Sequence, residues 1–127
     1  MSFAAQRYQA AQVETASPVR IVVQLHDGAV RSLQQAISLT QPLKLVERAN
    51  VLRKGHAIVA ELQASLEAKH SPELCQDLDR LYDFMLERIT KATLSRDVEQ
   101  TKASLGPVIR ILRELRGAWA TIAEKQP

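Results

Sequence analysis

Histidine, carboxylate and cysteine side chains are the groups of this chain that could bind a metal or react. Di-metal sites in helical proteins use two Glu-x-x-His pairs, and this chain has one such pair, from Glu67 to His70. Cys75 is the only cysteine, so it can form neither an internal disulfide nor a thiolate zinc site. We therefore expect no metal and no cofactor.

The other two histidines also offer little for catalysis. His26 and Asp27 are adjacent, so on a helix their side chains point about 100° apart and cannot form a catalytic pair. His56 falls on an apolar helical stripe, which predicts a hydrogen-bonded core residue. The sequence shows no serine nucleophile, glycine-rich phosphate loop or Cys–His pair. We expect that the protein is not an enzyme.

The composition is that of a helical globular protein. The 127 residues are 46% hydrophobic, 4% aromatic and 24% charged, and abundant Ala, Leu, Gln and Glu favour helices over strands. The N-terminal residues lack the pattern of a secretory signal peptide. No apolar run approaches the ~20 residues that span a bilayer. We expect a cytoplasmic protein that does not insert into membranes.

Basic residues give a formal charge of +3 and are interspersed with acidic ones. Arg110, Arg113 and Arg116 share one side of the last predicted helix, and Glu114 interrupts them. Such a run usually indicates a solvated face, and no aromatic residues interleave with it for base stacking. We expect no nucleic acid partner, although a small basic helical nucleic-acid-associated protein remains the alternative function.

Apolar residues at helical spacing, together with helix start signals, predict four helices. Ser17 before Pro18, Ser71 before Pro72, and Asp97 are the predicted N-caps. Because Pro107 removes a backbone hydrogen bond while the apolar stripe keeps its phase, we expect a kink there rather than a break. The predicted helices run approximately over Pro18–Thr40, Pro42–Ala68, Pro72–Leu94 and Val98–Ala123.

Short connections between these helices predict an all-α fold, an antiparallel up-down four-helix bundle. The whole chain, residues 1–127, is then one domain with an N-terminal arm (residues 1–16) and a bundle (residues 17–123). The apolar faces of the first and third helices are broad. They could form a wide core, as in a structural adaptor, or a groove for an amphipathic peptide, and periodicity does not decide between these.

Several blocks of the sequence are spread from near its N-terminus to its last predicted helix. They are Tyr8, Val13, Thr15-Ala16-Ser17-Pro18, Leu25, Asp27-Gly28-Ala29, Glu47-Arg48, Lys54-Gly55, Ile58, Glu61-Leu62, Ser65-Leu66, Leu78, Leu81-Tyr82, Met85, Leu112, Leu115-Arg116 and Ala118-Trp119. Together these blocks resemble the flagellar secretion chaperone family FliS. His26 stands where that family usually has tyrosine.

The resemblance implies a cytosolic chaperone that binds the disordered C-terminal segment of flagellin, prevents premature polymerisation and delivers the subunit to the flagellar export gate. It also implies that Tyr8 and Val13 form an N-terminal lid over the client groove. We expect a monomer or weak dimer. As exposed edges of the apolar faces, the expected groove residues are Ile21, Leu25, Leu78, Tyr82, Met85 and Ile109.

Overall fold

The computed structural model describes residues 18–39, 42–66 and 71–125, and these are almost entirely helical. The predicted all-α class is confirmed. The arm, with Tyr8, Val13 and the Ser17 cap, and the Glu67–His70 pair lie outside the described residues. The elements are α1 (Pro18–Ser38), a 3-10 helix (Pro42–Lys44), α2 (Leu45–Ala64), α3 (Pro72–Leu94) and α4 (Val98–Glu124).

Helix starts follow the local signals with one exception. Pro18 and Pro72 are the first residues of α1 and α3, where the missing N–H costs nothing. The Asp97 carboxylate accepts a hydrogen bond from the backbone N–H of Glu99 at 2.9 Å and caps α4. Ser71 occupies the N-cap position of α3, but its side chain makes no cap hydrogen bond, so that part of the prediction is wrong.

The second helix is shorter than the sequence predicts. A 3-10 turn occupies Pro42–Lys44, and α2 ends at Ala64 rather than at Ala68. The backbone N–H of Ser65 donates to the carbonyls of Glu61 and Leu62, and its hydroxyl donates to the Leu62 carbonyl at 2.7 Å. These bonds satisfy carbonyls at the helix end, so α2 can stop there without leaving them unpaired.

The four α-helices form an antiparallel bundle. Helix α1 packs against α2 and α4, and α3 packs against the same two helices. Helices α1 and α3 therefore occupy opposite corners and face each other through the core. In the described part of the chain, no helix combines the length and apolar content needed to cross a bilayer.

The core includes a polar contact between the opposite corners. His26 of α1 is 0% exposed and Tyr82 of α3 is 2% exposed, and the Tyr82 hydroxyl lies 3.4 Å from the His26 Nε2 atom. His56, predicted to be the core histidine, is only partly buried. The buried side of α2 runs through Leu52 and Gly55, and His56, which lies further round the helix, is at its edge.

Helices α1 and α2 approach closely at a glycine of α2. A methyl group added at Gly55 would lie 3.1 Å from Leu33 Cδ2 and 3.5 Å from Ser32 Cβ. Gly28, on α1, is less crowded, since a methyl group there would meet Ile58 Cδ1 at 3.5 Å, an ordinary contact. Helices α1 and α2 are therefore packed more tightly at Gly55 than at Gly28.

Helix α4 is continuous through Pro107, as the unbroken phase of its apolar stripe predicts; the kink itself stays a prediction. Because proline has no N–H, the carbonyl of Ala103, four residues earlier, loses its helical donor. Arg88 of α3 replaces that donor with an Nη2 hydrogen bond of 3.0 Å to Ala103, and its Nε atom donates to the Ser104 carbonyl at 3.3 Å.

Candidate peptide-binding surface

The structure divides the six predicted groove residues into two groups. Ile21 and Leu25 of α1 are half-buried, and Leu25 packs against the core. The expectation of exposed edges is wrong for the other four, because they point to the centre of the bundle rather than to the rim. These buried residues are Leu78, Tyr82, Met85 and Ile109, which are 9%, 2%, 0% and 7% exposed.

Besides Leu94 at its C-terminal end, three other apolar residues of α3 are exposed. Leu74 is 55% exposed, Leu81 36% and Phe84 40%. Their separations of seven and three residues place them on one side of the helix. We call these three residues the α3 face. Their exposure leaves apolar surface on the outside of the bundle, as a docking site for a peptide requires.

The α3 face lies along the boundary with α4. Arg88, one turn beyond Phe84 on the same side, makes the hydrogen bonds to the Ser104 and Ala103 carbonyls of α4. In an antiparallel pair, residues equally distant from such a contact lie at the same level. Leu81 and Ile111 are each seven residues from the Arg88–Ser104 contact, so half-buried Ile111 lies beside the α3 face.

The opposite side of α3 is closed by polar contacts with α2. The Gln63 side-chain amide donates to the Asp83 carboxylate at 2.7 Å and to the Asp79 carbonyl at 3.2 Å. These bonds cross between two helices that also share the core. Apart from Leu94 at its C-terminal end, the exposed large apolar side chains of α3 lie on its α4 side, where a peptide could lie along the boundary.

The electrostatics of the site are mild apart from the buried pair beneath it. The His26 Nδ1 atom lies 2.7 Å from the Val22 carbonyl, so Nδ1 carries the proton and Nε2 accepts from Tyr82. Burial lowers the pKa of His26, against opposing contributions from the Val22 hydrogen bond and Asp27. Burial raises the pKa of Tyr82 to about 12.

The α3 face is an exposed apolar surface. Within residues 18–39, 42–66 and 71–125, no group of three His, Cys, Asp or Glu side chains is arranged to hold a metal. The Phe84 ring, the only aromatic group of the α3 face, lies under the Arg88 guanidinium at 5.7 Å. Such a surface can receive aliphatic side chains and bury them from water.

The predicted groove residues include none of the three residues of the α3 face. Phe84 is the hardest of them to recognise, because it lies off the apolar repeat that predicts α3. Its spacing of three residues from Leu81 and four from Arg88 was the available signal. The same spacing occurs on many solvated helix surfaces, so it becomes informative only when Arg88 is seen to reach α4.

Two sequence blocks that resemble the chaperone family meet in space. Asp27 of α1 accepts a hydrogen bond from the Arg116 Nε atom of α4 at 2.9 Å, and both side chains are more than a third exposed. An exposed pair of this kind contributes at most about 1 kcal/mol. The pair links α1 to α4 at the surface of the bundle.

Comparison with known proteins gives consistent matches over nearly all of the chain. A family model described as flagellar protein FliS matches residues 1–126. The flagellar secretion chaperone FliS of Vibrio cholerae is 33% identical over 111 residues, covering 87% of this chain and 79% of that protein. The flagellar secretion chaperone FliSB of Pseudomonas aeruginosa is 30% identical over 113 residues, covering 89% and 86%.

A solved structure has the same fold. It is a crystal structure described as a flagellar chaperone from bacteria, and it superimposes with a TM-score of 0.74 over 97% of both chains. The sequence identity to that protein is 22%, so this likeness supports the bundle fold alone.

Proposed function

Because this chain belongs to the FliS family of flagellar proteins, we propose that it is a flagellar secretion chaperone that binds the C-terminal segment of flagellin in the cytoplasm. In this proposal the chaperone is not an enzyme. It covers the segment until the subunit reaches the export apparatus, and so prevents premature polymerisation.

The observation that carries the proposal is the α3 face. Leu81 and Phe84 are 36% and 40% exposed beside the boundary with α4, although the bundle core is closed beneath them. Amphipathic segments bind such surfaces through apolar side chains spaced along one side of a helix. A client that covers the α3 face removes this apolar area from water, which stabilises the complex.

The thermodynamics suit a client that must later be released. A disordered segment loses conformational freedom when it binds, at a cost of about 2–5 kcal/mol. This cost reduces affinity relative to the contact area, while a long contact retains selectivity. The complex can therefore be specific and still dissociate at the export apparatus.

The earlier groove residues enter the proposal in two ways. Ile21 and Leu25, half-buried on α1, contact the client where it continues around the bundle. The four buried residues form the floor beneath the surface and meet a client only where helices separate: Leu78, Tyr82, Met85 and Ile109.

The direct test is calorimetric titration of the full chain with the C-terminal peptide of the flagellin from the same organism. We expect one-to-one binding with a micromolar or lower Kd. Replacing both Leu81 and Phe84 by Ser is expected to weaken binding about tenfold or more, since each loses apolar contact worth about 1 kcal/mol. Leu43→Ser is the matched control, because Leu43 is 94% exposed and lies outside the α3 face.

Absence of peptide binding contradicts the proposal. Tight, salt-dependent binding of DNA without peptide binding supports the nucleic-acid alternative instead. If the double variant binds the peptide with unchanged affinity, the client binds at a surface other than the α3 face. Circular dichroism of each variant confirms that the helices are intact.

We further propose that the N-terminal arm is a lid, with Tyr8 and Val13 over the client surface in the free protein. Deletion of residues 1–15 is expected to increase client affinity and reduce solubility, because it exposes apolar surface that the arm covers. Unchanged affinity together with normal solubility contradicts the lid.

A further inference from the structure

A second apolar surface lies at the end of the bundle where α2 begins and α3 ends. It is a pocket of about 450 Å³. Leu45, Val46 and Leu94 contribute to its walls, and the last two are 74% and 80% exposed. We call it the end pocket. Its residues do not include any of the α3 face.

Arg48 is a buried cation in the end pocket. The residue is 3% exposed and lines the pocket. Its Nη2 atom donates to the Ser95 carbonyl at 3.1 Å, and among the described residues it has no carboxylate partner. A buried cation is stabilised when a carboxylate pairs with it, and here a neutral carbonyl stands in that position.

The remaining guanidinium donors of Arg48 keep a small exposed area, and Arg48 lines the pocket. In the described part of the chain, no enclosed side-chain nitrogen or oxygen lacks a hydrogen-bond partner. The Arg48 donors without a partner in the protein are therefore not enclosed, and the pocket is the open space that Arg48 lines. An arginine can bind one carboxylate through two of its donors.

Two more arginines make the end pocket positively charged. Arg53 and Arg96 both line it, Arg53 bonds only to the neutral Asn50 side chain, and neither has an ion-pair partner among the described residues. The two nearby acids are engaged elsewhere, because Glu47 pairs with Lys44 and Asp97 caps α4.

We propose that the end pocket docks an amphipathic peptide segment of a partner protein, in which Asp or Glu side chains lie beside apolar ones. The carboxylates bind the arginines, and the apolar side chains cover Val46 and Leu94. Charge complementarity selects this occupant, because an uncharged apolar segment leaves Arg48 without a counter-ion and a basic one is repelled. This second docking surface does not depend on the α3 face or its client.

The test uses the full chain labelled with ¹⁵N and two synthetic helical peptides, acetylated and amidated so that only side chains carry charge. Both have Leu at positions i, i+3 and i+7, and they differ by Glu or Gln at the intervening positions. We expect the Glu peptide to bind at least tenfold more tightly. It should shift the amide signals of residues 45–50 and 93–96. Equal affinities, no binding, or shifts confined to residues 74–88 overturn the proposal.

Charge-reversal variants localise the contact. The double variant with Arg53→Glu and Arg96→Glu is expected to bind the Glu peptide at least tenfold more weakly than the wild type. Added salt should lower the affinity of the wild type for this peptide, because salt screens the charges. Arg113→Glu, a matched exposed arginine on α4, should bind like the wild type. Equal losses in both variants overturn the proposal, since a general charge effect then explains the binding.

Val46→Glu separates the partner peptide from other occupants of the pocket. This exposed position tolerates the change, and the new charge should abolish Glu-peptide binding. A concentration-dependent dimer of the wild type that Val46→Glu abolishes assigns the pocket to a second copy and overturns the proposal. Shifts of the same amides on deletion of residues 1–16, without peptide, assign it to the arm and also overturn it.

Discussion

The α1–α2 contact and the α3–α4 contact lie on opposite sides of the bundle and are built differently. At the first, Gly55 brings the helices so close that an added methyl group would lie 3.1 Å from Leu33. At the second, Leu81 and Phe84 remain exposed, and Arg88 links the helices through backbone carbonyls. At these contacts the closed side is therefore more tightly packed than the open side.

The largest expected difference is between leucines of the two contacts. Leu33→Ala, in the closed contact, should lower the free energy of unfolding by about 2–5 kcal/mol, because it leaves a cavity in the core. Leu81→Ala, on the open side, should lower it by about 1 kcal/mol or less. Urea denaturation measures both. Similar losses in the two variants would show that the open side carries as much stability as the closed one.

Arg88→Ala tests what holds the open side together. It removes the donors to the Ala103 and Ser104 carbonyls, and we expect a loss of about 1–3 kcal/mol. Arg88→Lys should recover part of this, since one donor remains. Arg110→Ala, at an exposed position of the same helix, should stay within about 0.5 kcal/mol of the wild type. If Arg88→Ala also stays within this range, the hydrogen bonds from Arg88 to α4 contribute nothing to stability.

The buried His26–Tyr82 pair, which links α1 to α3 through the core, should make the free energy of unfolding pH-dependent. The pKa of His26 is lowered by burial from 6.5, so the unfolded chain takes up a proton more readily than the folded one. The free energy of unfolding should therefore fall as the pH drops below about 6.5. At high pH, burial raises the pKa of Tyr82 from 10.0 to about 12, and stability should fall above pH 10.

Two variants distinguish the contribution of the Tyr82–His26 hydrogen bond from that of the protonation of His26. Tyr82→Phe leaves His26 Nε2 without its donor and should lower the free energy of unfolding by about 0.5–1.5 kcal/mol. His26→Asn should remove most of the loss below pH 6.5. Denaturation from pH 5 to 8 measures both, and an acid loss that persists in His26→Asn assigns it to other groups.

The smallest expected effect contrasts two glycines. Gly117 has open space around it, so Gly117→Ala should raise the free energy of unfolding by up to about 1 kcal/mol through helix propensity. At Gly55 the crowding by Leu33 opposes the same gain. The Gly117 variant should be more stable than the Gly55 variant by about 1 kcal/mol or more. Equal melting temperatures would mean that Leu33 moves aside without cost.

The sequence specifies the helices better than it specifies their surfaces. Helix α3 has its predicted limits because Pro72 fixes its start, and Asp97 caps α4 as its side chain suggests. The sequence predicts the end of α2 four residues too late, at Ala68 instead of Ala64. The Ser65 hydrogen bonds at the end of the helix have no strong sequence signature. Local chemistry is therefore sufficient for most of the fold.

Periodicity alone does not distinguish the core residues of α3 from its surface residues. Leu81 and Met85 belong to the same predicted stripe, yet Leu81 is 36% exposed and Met85 is 0% exposed. The difference depends on how far α4 lies from α3, which is a property of two helices rather than one. The predicted burial of His56 is wrong for the same reason, because which side of α2 turns inward depends on its neighbours.

Pro107 leaves α4 dependent on another helix for part of its own backbone pairing. The Ala103 carbonyl is satisfied by Arg88 and not by α4 itself. If a guest chain displaces this guanidinium, the exposed Ala103 carbonyl needs water or a donor of the guest in its place. An extended segment can supply such a donor with its main-chain amides, whereas the amides of a folded helix are already paired.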